Sequence, residues 1–155
     1  MSVAFRRESD EEHKEPRFEL PIPPGPNLVT AAGLKQAEAQ VAALEARVAA
    51  ETEELALADA QRSLRYWRTR LATAELAPPP PGDEAAFGSR VTFRLNGAER
   101  IVDIVGDDEA DPAAGKLAFS APLARALIGA GPGDHADFGG KTDAIEILAV
   151  AAIEA

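Results

Sequence analysis

The sequence predicts an α+β protein in which an N-terminal antiparallel coiled-coil hairpin precedes a small antiparallel β domain with one short helix. Apolar residues recur in steps of three and four between residues 30 and 77, four prolines interrupt the chain at 78–81, and polar and apolar residues alternate after them. We expect four segments: an extended or disordered tail (1–29), the hairpin (30–77), a proline-rich linker (78–86) and the C-terminal domain (87–155).

The hairpin is predicted from two apolar sets separated by a short acidic stretch. Spacing by three and four places each set on one side of a helix, and two such seams pack together as a coiled coil. The sets are Leu34, Ala37, Val41, Leu44 and Val48, then Leu57, Ala60, Leu64, Trp67, Leu71 and Ala74. Neither glycine nor proline lies between them, so we expect a tight reversal. Helices of about 22 residues would make the hairpin about 33 Å long, with Glu51, Glu53 and Glu54 at its tip.

The residues before the hairpin are charged at first and rich in proline afterwards, which opposes helix and central strand. Phe18, Leu20 and Ile22 are the side chains through which this tail would dock on the base of the hairpin. Thr30 is the predicted N-cap of the first helix, and Gly33 is expected to weaken its first turn slightly.

The C-terminal domain begins with the clearest strand signal in the chain. Residues 89–95 alternate in polarity, Asn96-Gly97 is a strong hairpin-turn sequence, and residues 99–105 supply the partner strand. Further predicted elements are a short strand over 116–120, a helix over 121–128 and an antiparallel pair within 135–150. Pro122 suits the first position of this helix, and Gly129 suits its C-terminal cap.

Composition and charge narrow the classes of function. The chain has 155 residues, no cysteine and a net charge of −10. No apolar run is long enough to span a membrane and no export signal is present, so we expect a cytoplasmic protein. Residues 79–155 carry six basic and thirteen acidic side chains, a net charge of −7, which opposes binding of duplex DNA through its phosphates. Only the second helix, with Arg62, Arg65, Arg68 and Arg70, suits contact with nucleic acid, and a solvated arginine-bearing face is the alternative.

No catalytic or metal-binding set emerges from the residues. His13 and His135 each lie alone, and the acidic loop at 107–111 lacks the glycine and the final glutamate of a calcium-binding loop. The tip carboxylates could complete the coordination of a magnesium ion held in a partner's active site. The alternative is a solvated acidic turn, which the dipole of the second helix also favours.

Two stretches of the C-terminal part resemble the signature of the bacterial Gre transcription elongation factors. They are Ile-Val-Gly-Asp-Asp-Glu-Ala-Asp at 104–111 and Ala-Pro-Leu-Ala-Arg-Ala-Leu-Ile-Gly at 121–129. Residues 26–34 also resemble the start of the first helix in that family, so the resemblance covers roughly residues 26–150. It implies an N-terminal coiled-coil hairpin joined to an FKBP-like domain, the same two-part layout that the patterns predict.

The resemblance implies a protein that binds bacterial RNA polymerase and inserts its hairpin through the secondary channel toward the active site, without being an enzyme itself. The positions that match the docking motifs are Asp107, Asp108, Glu109, Asp111, Pro122, Leu123, Ala124, Leu127 and Ile128. Glu51, Glu53 and Glu54 would act near the magnesium of the polymerase, so the factor needs no cofactor or metal of its own. Arg62 and Arg65 would face the nascent RNA. We expect a monomer without membrane contact.

Two departures from the family pattern shape the functional hypothesis. The acidic tip motif of the family is absent, and the hairpin is shorter by roughly two dozen residues, about 18 Å of reach. We therefore expect a regulator of elongation that acts by occupying the channel. The alternatives are a transcript-cleavage factor, an FKBP-like prolyl isomerase or chaperone, and a homodimeric scaffold. Ala121 stands where the family usually has serine, which leaves Ser120 as the candidate helix cap.

Overall fold

The computed structural model describes residues 19–153 of the chain. It contains a helical hairpin, a two-stranded sheet at the base of that hairpin, and a five-stranded sheet with one short α-helix. The predicted α+β class is therefore confirmed. The predictions for residues 1–18, which include His13 and Phe18, lie outside the described residues.

The hairpin consists of α1 (Ala31–Ala50) and α2 (Glu54–Thr73), which pack against each other in antiparallel directions. Each helix has 20 residues and is therefore about 30 Å long, slightly shorter than predicted. Members of both predicted apolar sets form the buried seam: Ala37, Leu44, Ala60 and Leu64. The predicted coiled-coil hairpin is confirmed. Within residues 19–153, no helix combines the length and the apolar character needed to cross a membrane.

A two-stranded parallel sheet ties the two ends of the hairpin together. It pairs β1 (Leu28–Val29) with β2 (Glu75–Leu76). Next to it, the buried Asn27 side chain donates from Nδ2 to the Arg70 carbonyl oxygen at 2.8 Å and to Thr73 Oγ1 at 3.1 Å. The sequence did not predict this sheet, because two-residue strands are too short to show a period.

The main sheet has the strand order β5-β4-β3-β7-β6. Its strands are β3 (Ser89–Leu95), β4 (Ala98–Val105), β5 (Lys116–Ala118), β6 (His135–Phe138) and β7 (Lys141–Ala152). The predicted β3–β4 hairpin is present, and Asn96 and Gly97 have the positive φ angles, 51° and 88°, that its tight turn requires.

One strand departs from the predicted antiparallel arrangement. β5 runs parallel to β4, with Asp103 opposite Lys116 and Val105 opposite Ala118, so the sheet is mixed. The cause is the loop between the two strands, which contains two 3-10 turns, Asp107–Glu109 and Pro112–Ala114. This loop carries the chain back from the end of β4 to the level of Asp103, so β5 starts there and runs in the same direction as β4. Expecting an antiparallel third strand was therefore wrong.

The helix α3 (Pro122–Leu127) covers one face of this sheet, as predicted. Ala124 and Leu127 point into a core whose largest buried side chains include Phe93, Ile104, Ile145 and Ile147. Gly129 follows the helix with a φ of 94°, in keeping with the expected glycine cap. Ser120 does not cap the helix: the N-cap position is Ala121, no side chain accepts a capping bond there, and the Ser120 hydroxyl donates to an Asp107 carboxylate oxygen.

Candidate functional site

The acidic loop at 107–111 lies against the base of the hairpin. Asp108 Oδ2 accepts from Arg70 Nε at 2.6 Å, and Oδ1 accepts from the Tyr66 hydroxyl. The Asp108 backbone oxygen also accepts from Gln36 Nε2 at 3.2 Å. The Arg70 side chain is only 3% exposed and that of Asp108 17%, so this is a largely buried ion pair between the hairpin and the C-terminal domain.

Glu109 holds the beginning of α1. Its Oε2 accepts from the backbone nitrogens of Thr30 and Gly106, each at 3.1 Å, and its Oε1 accepts from the Thr30 hydroxyl. The same hydroxyl oxygen caps α1 by accepting from Gly33 N at 3.1 Å, as the sequence predicted. The N-cap of α1 is thus bonded on one side to its own helix and on the other to the C-terminal domain.

Two glycines allow these elements to approach so closely. A methyl group on Gly33 would lie 2.3 Å from Glu109 Cδ, and one on Gly106 would lie 2.4 Å from the Leu28 carbonyl oxygen. Gly33 therefore makes room for a contact between domains, a role that its sequence neighbourhood did not reveal. We call this set of contacts the clasp: Asp108 and Glu109 with Thr30, Gly33, Gln36, Tyr66 and Arg70.

The environment of Tyr66 suits its place in the clasp. Burial, followed by the hydrogen bond to Asp108 and the charge of that carboxylate, raises the pKa of Tyr66 to about 12, although the positive charge of Arg70 opposes this. The phenol therefore stays protonated at neutral pH and remains a donor to Asp108.

The predicted docking residues divide between surface and core. Asp111, Pro122 and Ile128 are exposed, and Asp107 and Leu123 are half-buried. Ala124 and Leu127 are fully buried in the core, so neither can contact a partner. Asp108 and Glu109 belong to the clasp. Outside the clasp, the predicted docking residues that have solvent-accessible surface are Asp107, Asp111, Pro122, Leu123 and Ile128.

The predicted tip carboxylates organise their own turn. Glu51 Oε2 accepts from the backbone nitrogens of Thr52 at 3.2 Å and Glu53 at 3.1 Å. Glu53 is the N-cap of α2 and accepts from Ala56 N at 2.7 Å, and Glu54 lies in the first turn. Across residues 19–153, no three acidic or histidine side chains cluster closely enough to hold a metal ion.

The arginines of α2 are engaged in ion pairs. Arg65 forms a two-pronged bond with Glu19 at 2.7 and 2.8 Å, which lowers the pKa of Glu19. Arg62 pairs with Asp59, and Arg68 pairs with Glu45 of α1 at 3.0 Å. The two positions predicted to face RNA, Arg62 and Arg65, are thus each paired with a carboxylate.

Sequence reasoning missed the part that Tyr66 and Arg70 play in the clasp. Their spacing of four residues places both on one face of α2, which is a usable signal for a shared contact. Their common partner, Asp108, is 38 residues beyond Arg70, and no local pattern indicates that pairing.

The C-terminal part of the chain matches a known protein family. The family model for the C-terminal part of transcription elongation factor GreA/GreB matches residues 80–154. The chain is similar to transcription elongation factor GreA of Brucella canis, with 42% identity over 73 residues, which cover 44% of this chain and 46% of that protein. The match thus spans about half the length of this curated relative.

Solved structures similar to this chain include a GreA/GreB elongation factor from Nitrosomonas europaea, with 21% identity and a TM-score of 0.40 over 83% of this chain and 99% of that one. Another is GreA factor homolog 1 (Gfh1) of Thermus thermophilus, with 18% identity and a TM-score of 0.38 over 83% of this chain and 100% of that one. The match to residues 80–154 confirms the family resemblance predicted from the sequence motifs: the C-terminal part of the chain matches the GreA/GreB family of transcription elongation factors.

Proposed function

We propose that this protein binds bacterial RNA polymerase through its C-terminal domain and regulates elongation by placing its helical hairpin in the secondary channel. The observation that carries this proposal is the combination of a GreA/GreB C-terminal domain with a hairpin clasped to that domain at its base. The protein would work in the cytoplasm, where bacterial polymerase transcribes.

Docking would use the exposed part of the predicted motif. Ile128 is 41% exposed and Pro122 is exposed at the start of α3, whereas Asp107 and Asp111 supply negative charge on the neighbouring loop. An apolar anchor beside carboxylates suits a partner surface that carries both apolar and basic side chains. Arg125 is the only basic residue of α3, so the surface is mainly apolar and acidic.

Occupancy explains the hairpin better than metal chemistry does. Glu51 Oε2 and Glu53 Oε1 accept from backbone donors of the turn, so a magnesium ion at the tip would share these two carboxylates with the bonds that shape it. The helices reach about 30 Å, which the resemblance indicates is short for a cleavage factor. A rod of this size still obstructs a channel and alters its electrostatic field.

The proposal requires no partner other than the polymerase complex. The apolar seam closes within one chain, where Ala60 is fully buried and Leu64 is 5% exposed, which supports a monomer. Nascent RNA could reach Arg62 or Arg65 only in competition with Asp59 or Glu19. Any magnesium involved would be that of the polymerase.

Binding to purified bacterial RNA polymerase tests the docking surface. Ile128→Asp should weaken binding by about tenfold or more, because a charge would replace an apolar anchor. Ile101→Asp is the matched control, since Ile101 is 55% exposed on β4 and lies outside the motif. The proposal fails if the parent protein does not bind polymerase, or if both substitutions weaken binding equally.

A stalled-complex assay separates occupancy from transcript cleavage. We expect the protein to change the rate of elongation or pausing without releasing short 3′ RNA fragments. The triple substitution Glu51→Gln, Glu53→Gln and Glu54→Gln tests the tip directly. Robust cleavage that disappears in this variant would replace occupancy with stimulation of the polymerase's own hydrolysis.

A further inference from the structure

We propose that the acidic loop is divided between two tasks: Asp108 and Glu109 are positioning residues that fix the direction of the hairpin, whereas Asp107 and Asp111 are left for the partner. The first half rests on contacts within the chain, and the second rests on the proposed function. The clasp then determines where the tip lies once the C-terminal domain is bound.

The covalent connection alone leaves this direction open. A single stretch, residues 77–88, leads from β2 to the main sheet, and a body held at one point can rotate about it. The clasp adds separate points of attachment on both helices. Asp108 bonds to Arg70 and Tyr66 near the end of α2, and Glu109 bonds to Thr30 at the start of α1.

The chemistry of the clasp is that of a fixed contact. Both Asp108 carboxylate oxygens accept bonds from the hairpin, and Glu109 receives three donors. Arg70 is 3% exposed, whereas the exposed ion pair between Arg68 and Glu45 leaves its two side chains 57% and 51% exposed. Charge-assisted bonds that exclude water hold a geometry, and exposed pairs hold it only weakly.

The same contacts remove Asp108 and Glu109 from the docking surface. A basic group of a partner would have to displace Arg70 from Asp108, or the Thr30 and Gly106 donors from Glu109. Asp111 is exposed. The side-chain hydrogen bond described for Asp107 is donated by the hydroxyl of Ser120, which is itself exposed. Carboxylates of the same loop therefore have different roles: those of Asp108 and Glu109 bind the hairpin, and those of Asp107 and Asp111 are available to a partner.

Distances between spin labels test the positioning role. The chain has no cysteine, so labels can be attached at Thr52→Cys in the tip and Thr142→Cys in the C-terminal domain without removing a native thiol; both threonines are exposed. The parent should give one narrow distance distribution. Asp108→Ala with Glu109→Ala should broaden it several-fold while the far-ultraviolet circular dichroism stays unchanged.

The matched control removes the same charge from the same loop. Asp107→Ala with Asp111→Ala should keep the narrow distribution. If the clasp variant does not fold, Gly33→Ala provides the test, because its new methyl group would displace Glu109. The proposal is overturned if the folded clasp variant keeps the narrow distance distribution of the parent. If that variant does not fold, an unchanged distribution in Gly33→Ala overturns it. Broadening of the same size in the Asp107/Asp111 control also overturns it.

Binding to polymerase tests the second half separately. The clasp variant should bind as the parent does but lose its effect on elongation, and the Asp107/Asp111 variant should bind more weakly. The opposite assignment of these two defects would overturn the division. If the parent does not bind polymerase at all, the proposed function fails, and the distance measurement still decides whether the clasp sets the hairpin direction.

Discussion

The two acidic regions of this protein, the tip and the clasp, use the same chemical groups in opposite ways. At the tip, Glu51 and Glu53 accept from backbone nitrogens no more than three residues away. In the clasp, the bonds that Asp108 and Glu109 accept from the hairpin come from groups 38 to 79 residues away. Carboxylates satisfied locally shape a turn, whereas carboxylates satisfied at long range fix one part of the molecule against another.

Burial makes this difference energetic as well as geometric. A partly buried carboxylate that loses its cationic partner keeps the cost of desolvation, whereas an exposed carboxylate recovers its hydration. Changes at the clasp should therefore exceed changes at the tip.

Removing the buried guanidinium should have the largest effect on stability. Arg70→Met keeps most of the apolar stem but leaves Asp108 without its ion-pair partner, and it should lower the free energy of unfolding by about 3 kcal/mol. Urea denaturation followed by the fluorescence of Trp67, the only tryptophan in the chain, measures this. Arg68→Met is the matched control and should cost less than about 0.5 kcal/mol. Equal losses would remove the distinction between buried and exposed pairs.

Adding one methyl group to the clasp should have the next largest effect. Gly33→Ala gains about 1 kcal/mol of helix preference but crowds Glu109, so we expect a net loss of about 1–2 kcal/mol. Ala39→Gly, at an exposed position of α1, calibrates the preference term in the same denaturation assay. A Gly33→Ala protein that is more stable than its parent would show that the close approach is unimportant.

Removing the tip cap should have a moderate, local effect. Glu53→Ala deletes the acceptor for Ala56 N and should cost about 1 kcal/mol. Glu53→Asp, which retains a capping carboxylate, should lose little. Thermal unfolding followed by circular dichroism compares the two variants. If both behave like the parent, the carboxylate does not hold the turn.

Alkaline titration should leave the stability unchanged up to about pH 10 and reduce it above that pH. The pKa of Tyr66 is about 12 in the folded protein and near 10 in the unfolded chain, so the folded state retains the phenol proton more strongly. This stabilising contribution is complete below about pH 10 and is lost as the pH rises toward about 12. Tyr66 is the only tyrosine, so tyrosinate absorbance reports it alone. A titration midpoint near 10 in the folded protein would contradict both the burial of Tyr66 and its hydrogen bond to Asp108.

The sequence predicted those parts of the molecule that depend on local patterns. The seams around Leu44 and Leu64, the Asn96-Gly97 turn and the helix that begins at Pro122 all follow from spacing or turn chemistry within a few residues. The family signature could be recognised for the same reason, since it lies in two continuous stretches of sequence.

The clasp was not readable, because its partners meet only in the folded chain. From the sequence, Arg70 is expected to be a solvated arginine like its neighbours on α2, and Gly33 is expected only to weaken the first turn of α1. Leu127 shows the converse limit: it lies in a family motif that the resemblance links to docking, yet it is fully buried and supports the core. The parallel β5 depends in turn on the path of the loop before it, which alternation in sequence does not reveal.

The most direct test of the proposed role asks where the tip lies in a transcription complex. A photo-crosslinking amino acid at position 55, where Leu55 is 68% exposed next to the tip, can be activated in a stalled elongation complex and its polymerase partners mapped by mass spectrometry. We predict crosslinks to residues that line the secondary channel close to the catalytic magnesium. Crosslinks confined to the outer surface of the polymerase would contradict insertion of the hairpin.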